Sequence, residues 1–153
     1  MIVRCTNLNN VFNGVEYHFP SDLKIGDEFV VLDMSLYSGS PEKSWYRIMI
    51  VEGDYMTPAL FKARYFEVIS PKISSLWVAE NGELYPVLTE NAEPSPGGID
   101  CSAIHFAPRS WNFIHFWEDY FENDCQKAYD LFFKEAAFMH AEEGIYLNRD
   151  NFL

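Results

Sequence analysis

Cysteine and positive charge are both scarce in this chain of 153 residues. Three cysteines (Cys5, Cys101 and Cys125) are too few and too widely spaced for a disulfide framework, so they predict free thiols in a reducing compartment. The first residues, MIVRCTNLNN, have no apolar run behind basic residues, and no stretch approaches the ~20 apolar residues of a membrane helix. We therefore expect a cytoplasmic protein with no signal peptide and no membrane contact.

The shortage of basic residues is uneven along the chain. Lysine and arginine number 11 against 23 acidic residues, and the net charge is -12. Residues 1–76 hold seven basic and nine acidic residues, whereas residues 77–153 hold four and fourteen. Such a field repels nucleic acid and attracts cationic partners. No basic patch is interleaved with aromatic residues, which also argues against nucleic-acid binding.

Apolar and aromatic residues are plentiful, at 48% and 17% of the chain. A chain of this length has enough apolar side chains to form a core, and it predicts a single domain over residues 1–153. Its composition divides it into a mainly β part at 1–88, a loop at 89–109 and a helical part at 110–143. We expect an α+β fold in which a small twisted antiparallel sheet, with an SH3-like sheet as one option, carries two packed C-terminal helices.

Alternating apolar residues predict the strands. In EFVVLDMSLY the even-numbered positions from Val30 to Leu36 share one face, while Asp33 and Ser35 point the other way, as in a half-buried strand. The stretches around Val3, SWYRIMIVE and YFEVIS read as further strands.

Two local signals predict turns within the β part. Thr57 followed by Pro58 is typical of a helix N-cap and first helical residue, so ALFKA is expected to form one helical turn. Asn81-Gly82 between apolar runs predicts a hairpin over residues 76–88.

Helical spacing dominates the last segment. Ser110 is a suitable cap, and Asp124 is expected to cap a second helix that ends at Gly144. The apolar stripe of that second helix is Cys125, Ala128, Tyr129, Phe132, Ala136 and Met139, and Leu131 and Phe138 lie off it. The stripe of the first helix consists of aromatic residues: Phe113, Phe116, Trp117, Tyr120 and Phe121.

Helical geometry places Glu118, Asp119 and Glu122 opposite this aromatic stripe. Catalytic carboxylates need to converge in a cleft where burial raises one pKa, so an outward direction argues against acid/base catalysis. Two interpretations stay open: a solvated helix face, or a docking surface for a basic partner.

Cys101 and His105 are the one pair of residues that suggests other chemistry. They lie four apart in the predicted loop, where an activated thiol or two metal ligands could sit, but no CxxC or HExxH pattern accompanies them. We predict no metal and no cofactor. A small enzyme or ligand-binding domain that uses Cys101 and His105 remains an alternative, as does a regulatory subunit of a larger complex.

The order of these features resembles a family of small bacterial proteins. A G-x-x-F/Y-V-V-L strand, a W/Y-R-I strand, an F-E-V strand and an FW-x-x-Y-F helix carry the likeness over residues 23–135, and the segment 89–110 departs from it. The matching residues are Gly26, Phe29, Val30, Val31, Leu32, Tyr46, Arg47, Ile48, Phe66, Glu67, Val68, Trp77, Phe116, Trp117, Tyr120 and Phe121.

The resemblance is to immunity proteins of toxin–immunity systems, such as contact-dependent growth inhibition. It implies a non-enzymatic protein that binds a cognate toxin domain and occludes it. Toxin nucleases are basic because they hold phosphates, so an acidic inhibitor complements their charge. The expected contact residues are Glu118, Asp119 and Glu122 on the helix, and Glu90, Glu93 and Asp100 in the loop.

Overall fold

The structure is a computed structural model that describes residues 1–8, 11–12, 15–16, 23–37, 43–53, 55–82, 103–112 and 115–148. The strands are β1 (Ile2–Cys5), β2 (Val11–Phe12), β3 (Val15–Glu16), β4 (Glu28–Tyr37), β5 (Trp45–Glu52), β6 (Tyr55–Lys62), β7 (Phe66–Ser70), β8 (Trp77–Gly82) and β9 (Ala103–Pro108). The helices are α1 (Phe116–Phe121) and α2 (Gln126–Glu142), with 3₁₀ turns at Ala63–Tyr65 and Arg109–Asn112.

Within the described ranges, seven of these strands form one antiparallel sheet, so the α+β prediction is confirmed. Five of them follow the order β6-β5-β4-β1-β7, with the 3₁₀ turn Ala63–Tyr65 before the last strand. Strand β4 is long enough to pair with β1 through its first half and with β9 through its second.

Strand β4 contains a bulge that changes which side chains are buried. Val31 pairs with Ile48 and Asp33 pairs with Arg47, so two steps along β4 match one step along β5. The extra residue reverses the alternation of side chains beyond it. The half-buried prediction for this strand is therefore wrong: Asp33 and Ser35 are as buried as their apolar neighbours.

Two hydrophobic cores lie on the two faces of the sheet. The sheet core contains Val3, Val31, Met34, Ile48 and Phe61 among its buried residues. The helix core joins β4 and β5 to the two helices, and its buried residues are Val30, Leu32, Met49, Trp111, Phe116, Tyr120, Ala128, Phe132, Ala136, Met139 and Leu147. Of the inner stripe expected for α2, Ala128, Phe132, Ala136 and Met139 are buried as predicted, whereas Cys125 and Tyr129 are only partly buried.

The helical turn predicted after Thr57 is wrong, because residues 57–62 belong to strand β6. Thr57 and Pro58 pair with Ile50 and Met49 of β5. Among the described strands, β6 pairs with β5 alone, and proline is tolerated at such an edge because no second neighbour requires its missing N–H.

The hairpin predicted at Asn81-Gly82 is also wrong. Asn81 and Gly82 end strand β8, where they pair with Ile104 and Ala103 of β9. The predicted loop 89–109 is too long at its C-terminal end, because residues 103–108 form β9. A partner that is distant in sequence determines this pairing, and turn propensity gives no sign of it.

Helix α2 ends as predicted and begins differently. Gly144 adopts a φ of 76°, and its N–H donates to the carbonyl of Ala141, which closes the last turn. At the other end Cys125 occupies the N-cap without a side-chain hydrogen bond. Asp124 precedes it with a φ of 45°, so the predicted cap at Asp124 is wrong. In the described part of the chain, no helix has the length and apolar character needed to cross a bilayer.

Candidate protein-interaction surface

Helix α1 presents acidic side chains outward and aromatic side chains on its flank. Glu118 and Glu122 are exposed and Asp119 is partly buried, so the predicted outward direction holds for the two glutamates. Phe121, expected in the buried stripe, is instead 49% exposed. We call Trp117, Glu118, Asp119, Phe121 and Glu122 the α1 surface.

The exposed Phe121 ring rests on other rings. It stacks on Trp117 with a centroid separation of 5.6 Å and an interplanar angle of 23°, and it meets the edge of Tyr120 at 4.9 Å. Tyr120 in turn contacts Phe132 of α2 at 4.9 Å. These contacts limit the rotamers of Phe121, so little side-chain entropy is left to lose when a partner covers it.

Trp117 also contacts a residue of the sheet, Arg47 of strand β5. The Arg47 guanidinium lies 3.6 Å from the centroid of the Trp117 ring, which is cation–π contact. Arg47 Nε donates a hydrogen bond of 2.6 Å to Asp33 Oδ2, and Asp33 is only 1% exposed. A continuous series of contacts therefore runs from Phe121 at the surface to a buried ion pair in the sheet.

The buried ion pair depends on the bulge in β4. Reversed alternation beyond the bulge turns Asp33 toward Arg47 and toward His105 of β9, whose Nε2 lies 3.8 Å from Asp33 Oδ1. Burial, the strongest influence, raises the pKa of Asp33, but Arg47 and His105 outweigh it and hold the pKa below its ordinary value of 3.8. Asp33 is therefore charged at neutral pH.

Tyr120 forms the buried edge of the α1 surface. Burial and then the nearby Tyr129 raise the pKa of Tyr120 to about 12. Its hydroxyl therefore stays protonated at neutral pH, and its role is to pack α1 against α2.

The acids of α1 have local partners of modest strength. His115 Nδ1 lies 2.8 Å from Glu118 Oε2, and Asn123 donates a hydrogen bond of 3.0 Å to Asp119. Within the described ranges, none of Glu118, Asp119 and Glu122 forms an ion pair with lysine or arginine. Their negative charge is therefore not neutralised by a lysine or arginine of the described chain.

The remaining predicted site residues divide into two groups. Glu90, Glu93, Asp100 and Cys101 lie outside the described residues. His105 is described, on strand β9 rather than in a loop, and its side chain is 22% exposed beside Asp33.

Asp33 and Arg47 were missed as positioning residues. The available signal was a pair of opposite charges, Asp33 and Arg47, on the less apolar faces of two successive strands. Strict alternation, however, predicted that Asp33 faces solvent. In the described part of the chain no three His, Cys, Asp or Glu side chains cluster as a metal site requires, so no metal ligand is assigned.

Comparison of the chain with protein-family models, with curated proteins and with solved structures finds no match. The resemblance to immunity proteins therefore stays a hypothesis.

Proposed function

We propose that this protein binds a cationic protein through the α1 surface and inactivates it by occlusion, as an immunity protein does with its toxin. The setting is the reducing cytoplasm, in keeping with the free thiols of Cys5 and Cys125. The partner class follows from the resemblance in core pattern and from charge: a toxin nuclease is basic because it holds phosphates.

The exposed ring of Phe121 among carboxylates is the observation that carries this proposal. Half-exposed aromatic rings next to charged residues are the usual centre and rim of a protein interface. An ordinary solvated helix face needs no such ring, and burial of Phe121 would remove apolar surface from water.

The contacts beneath the surface also favour binding. Trp117 is held by Arg47 and Arg47 by Asp33, so the ring that supports Phe121 is fixed before any partner arrives. Preorganisation lowers the entropy cost of association. The exposed carboxylates of Glu118 and Glu122 add long-range attraction that raises the association rate.

The first test removes the aromatic anchor. The partner used in the test is a small basic protein that is encoded beside this chain and co-purifies with it. Phe121→Ala should weaken binding roughly thirtyfold or more, which is the loss typical of an interface hot spot. Phe138→Ala is the matched control, because Phe138 is also helical and 48% exposed. Equal losses for Phe121→Ala and Phe138→Ala would remove the α1 surface from the proposal.

A second test separates the charges of α1 from net charge. The double variant Glu118→Lys/Glu122→Lys should slow association about tenfold or more at low salt. Glu67→Lys/Glu80→Lys changes the net charge by the same amount on strands β7 and β8, and should slow association much less. Stopped-flow association rates for both folded variants decide between local and overall charge.

The enzyme alternative has one supporting observation. Asp33 lies beside His105, and a carboxylate that orients a histidine is a common part of nucleophilic sites. Cys101→Ala and His105→Ala distinguish the two functions: an enzyme loses its activity, whereas an immunity protein protects cells almost as before.

A further inference from the structure

A pocket of about 320 Å³ opens at the other end of α2 from α1. Strand β4, strand β5 and the residues after α2 supply its walls. The lining is mainly aliphatic and includes the buried residues Val30, Met49 and Leu147 and the half-exposed Val51 and Ile145. A concave apolar space of this volume with few polar groups is typical of small-molecule sites.

His140 is the buried polar residue of this pocket, at 6% exposure. Its Nδ1 lies 2.8 Å from the carbonyl oxygen of Ala136, and a carbonyl only accepts, so Nδ1 carries the hydrogen. Burial, and the nearby Met1 ammonium, lower the pKa of His140, so the ring is neutral at neutral pH. Nε2 is then an acceptor, and it has no hydrogen-bond partner within the described residues.

The two acidic residues in the pocket wall already interact with other residues of the chain. Glu28 forms an ion pair of 2.7 Å with Arg4, and Asp27 accepts a hydrogen bond of 3.0 Å from the backbone N–H of Lys24. Their negative charge disfavours an anionic ligand, while their existing partners leave little to attract a cation. An uncharged ligand fits this wall best.

We propose that this pocket binds a small uncharged molecule with an apolar body and a single N–H or O–H donor, which donates to Nε2 of His140. The α1 surface contributes no residue to the pocket. The binding of this ligand is therefore separate from the binding of a protein partner.

Indole and N-methylindole form a matched pair of probes. Both have an apolar bicyclic body, and only indole carries an N–H donor. Titration calorimetry with the intact chain should show saturable binding of indole, about tenfold tighter than that of N-methylindole, because one hydrogen bond to a buried acceptor is lost. Equal affinity for the two probes, or no saturable binding of either, overturns the proposal.

A pocket-filling variant locates the site. Val51→Trp places a large ring in the pocket wall and should abolish indole binding. Val68→Trp is the control, since Val68 is also a strand valine of 46% exposure but lies outside the pocket. Indole binding that survives Val51→Trp, or that Val68→Trp abolishes equally, contradicts the assignment.

A third variant tests the acceptor itself. His140→Phe keeps a ring of similar size and removes Nε2, so it should equalise the affinities for indole and N-methylindole. A tenfold preference that persists in folded His140→Phe contradicts the role of His140. If His140→Phe fails to fold, the probe pair and Val51→Trp still decide the question.

Discussion

At the scale of single residues, Asp33 illustrates the desolvation cost of a buried carboxylate and the ion pair that offsets this cost. A lone carboxylate at 1% exposure is strongly unfavourable, but Arg47 Nε at 2.6 Å compensates much of that desolvation. The pair then orients Trp117 rather than adding much net stability. Asp33 Oδ1 has no hydrogen-bond partner among the described residues, and His105 Nε2 lies 3.8 Å from it.

Asp33→Asn should therefore destabilise the protein by about 3–5 kcal/mol, because it leaves the charge of buried Arg47 uncompensated. Urea unfolding followed by circular dichroism measures the loss. The double variant Asp33→Leu/Arg47→Met removes both charges and should be much closer to the wild type. Equal destabilisation by the single and the double variant would show that the charges are not the cause.

His140 predicts how stability depends on pH. Burial lowers its pKa in the folded chain below the ordinary value of 6.5. As the pH falls past about 6.5, the unfolded chain takes up a proton that the folded chain does not yet bind. The free energy of unfolding should therefore decrease as the pH is lowered, until the folded pKa is reached.

Urea unfolding between about pH 5 and pH 8 checks this dependence. His140→Phe should flatten the slope in this range. An unchanged slope in His140→Phe would assign the dependence to other groups.

At the scale of elements, the turn that ends α2 restricts which residue can occupy position 144. The turn at Gly144 is closed by backbone hydrogen bonds from Gly144 and Ile145 to Ala141 and His140. A φ of 76° at Gly144 disfavours any side chain with a Cβ, and this position precedes the residues that line the pocket.

Gly144→Ala should lower the free energy of unfolding by about 1–2 kcal/mol, the cost of a left-handed conformation for an L-residue. Gly144→Asn should cost clearly less, since asparagine tolerates this conformation. Thermal and urea unfolding of the pair measure the difference. Identical losses would mean that the added side chain, and not backbone strain, is responsible.

At the scale of the whole molecule, a net charge of -12 makes self-repulsion a general influence on stability. A rise in NaCl from about 0.01 M to 0.15 M shortens the screening length from about 30 Å to 8 Å. The free energy of unfolding should increase over this range. In Glu67→Lys/Glu80→Lys, which lowers the negative charge by four, the increase should be smaller. A decrease with salt would show that surface ion pairs outweigh repulsion.

The sequence by itself determined the features that depend on local pattern. Alternation placed β4 and β5, helical spacing placed most of the buried stripe of α2, and the glycine signal placed the end of that helix at Gly144. The outward direction of Glu118 and Glu122 followed from the same geometry. Each of these features depends on the period of side chains along one element, and so on residues that are close in the chain.

Only the tertiary structure decided the features that depend on distant partners. β9 forms because β4 and β8 offer it hydrogen bonds, and these override the turn signal at Asn81-Gly82. The bulge in β4 is defined only against β5, and it alone brings Asp33 inward to Arg47 and His105. The pocket around His140 likewise joins residues far apart in the chain. Burial and pairing between distant segments are properties of the packed chain, and local propensity does not encode them.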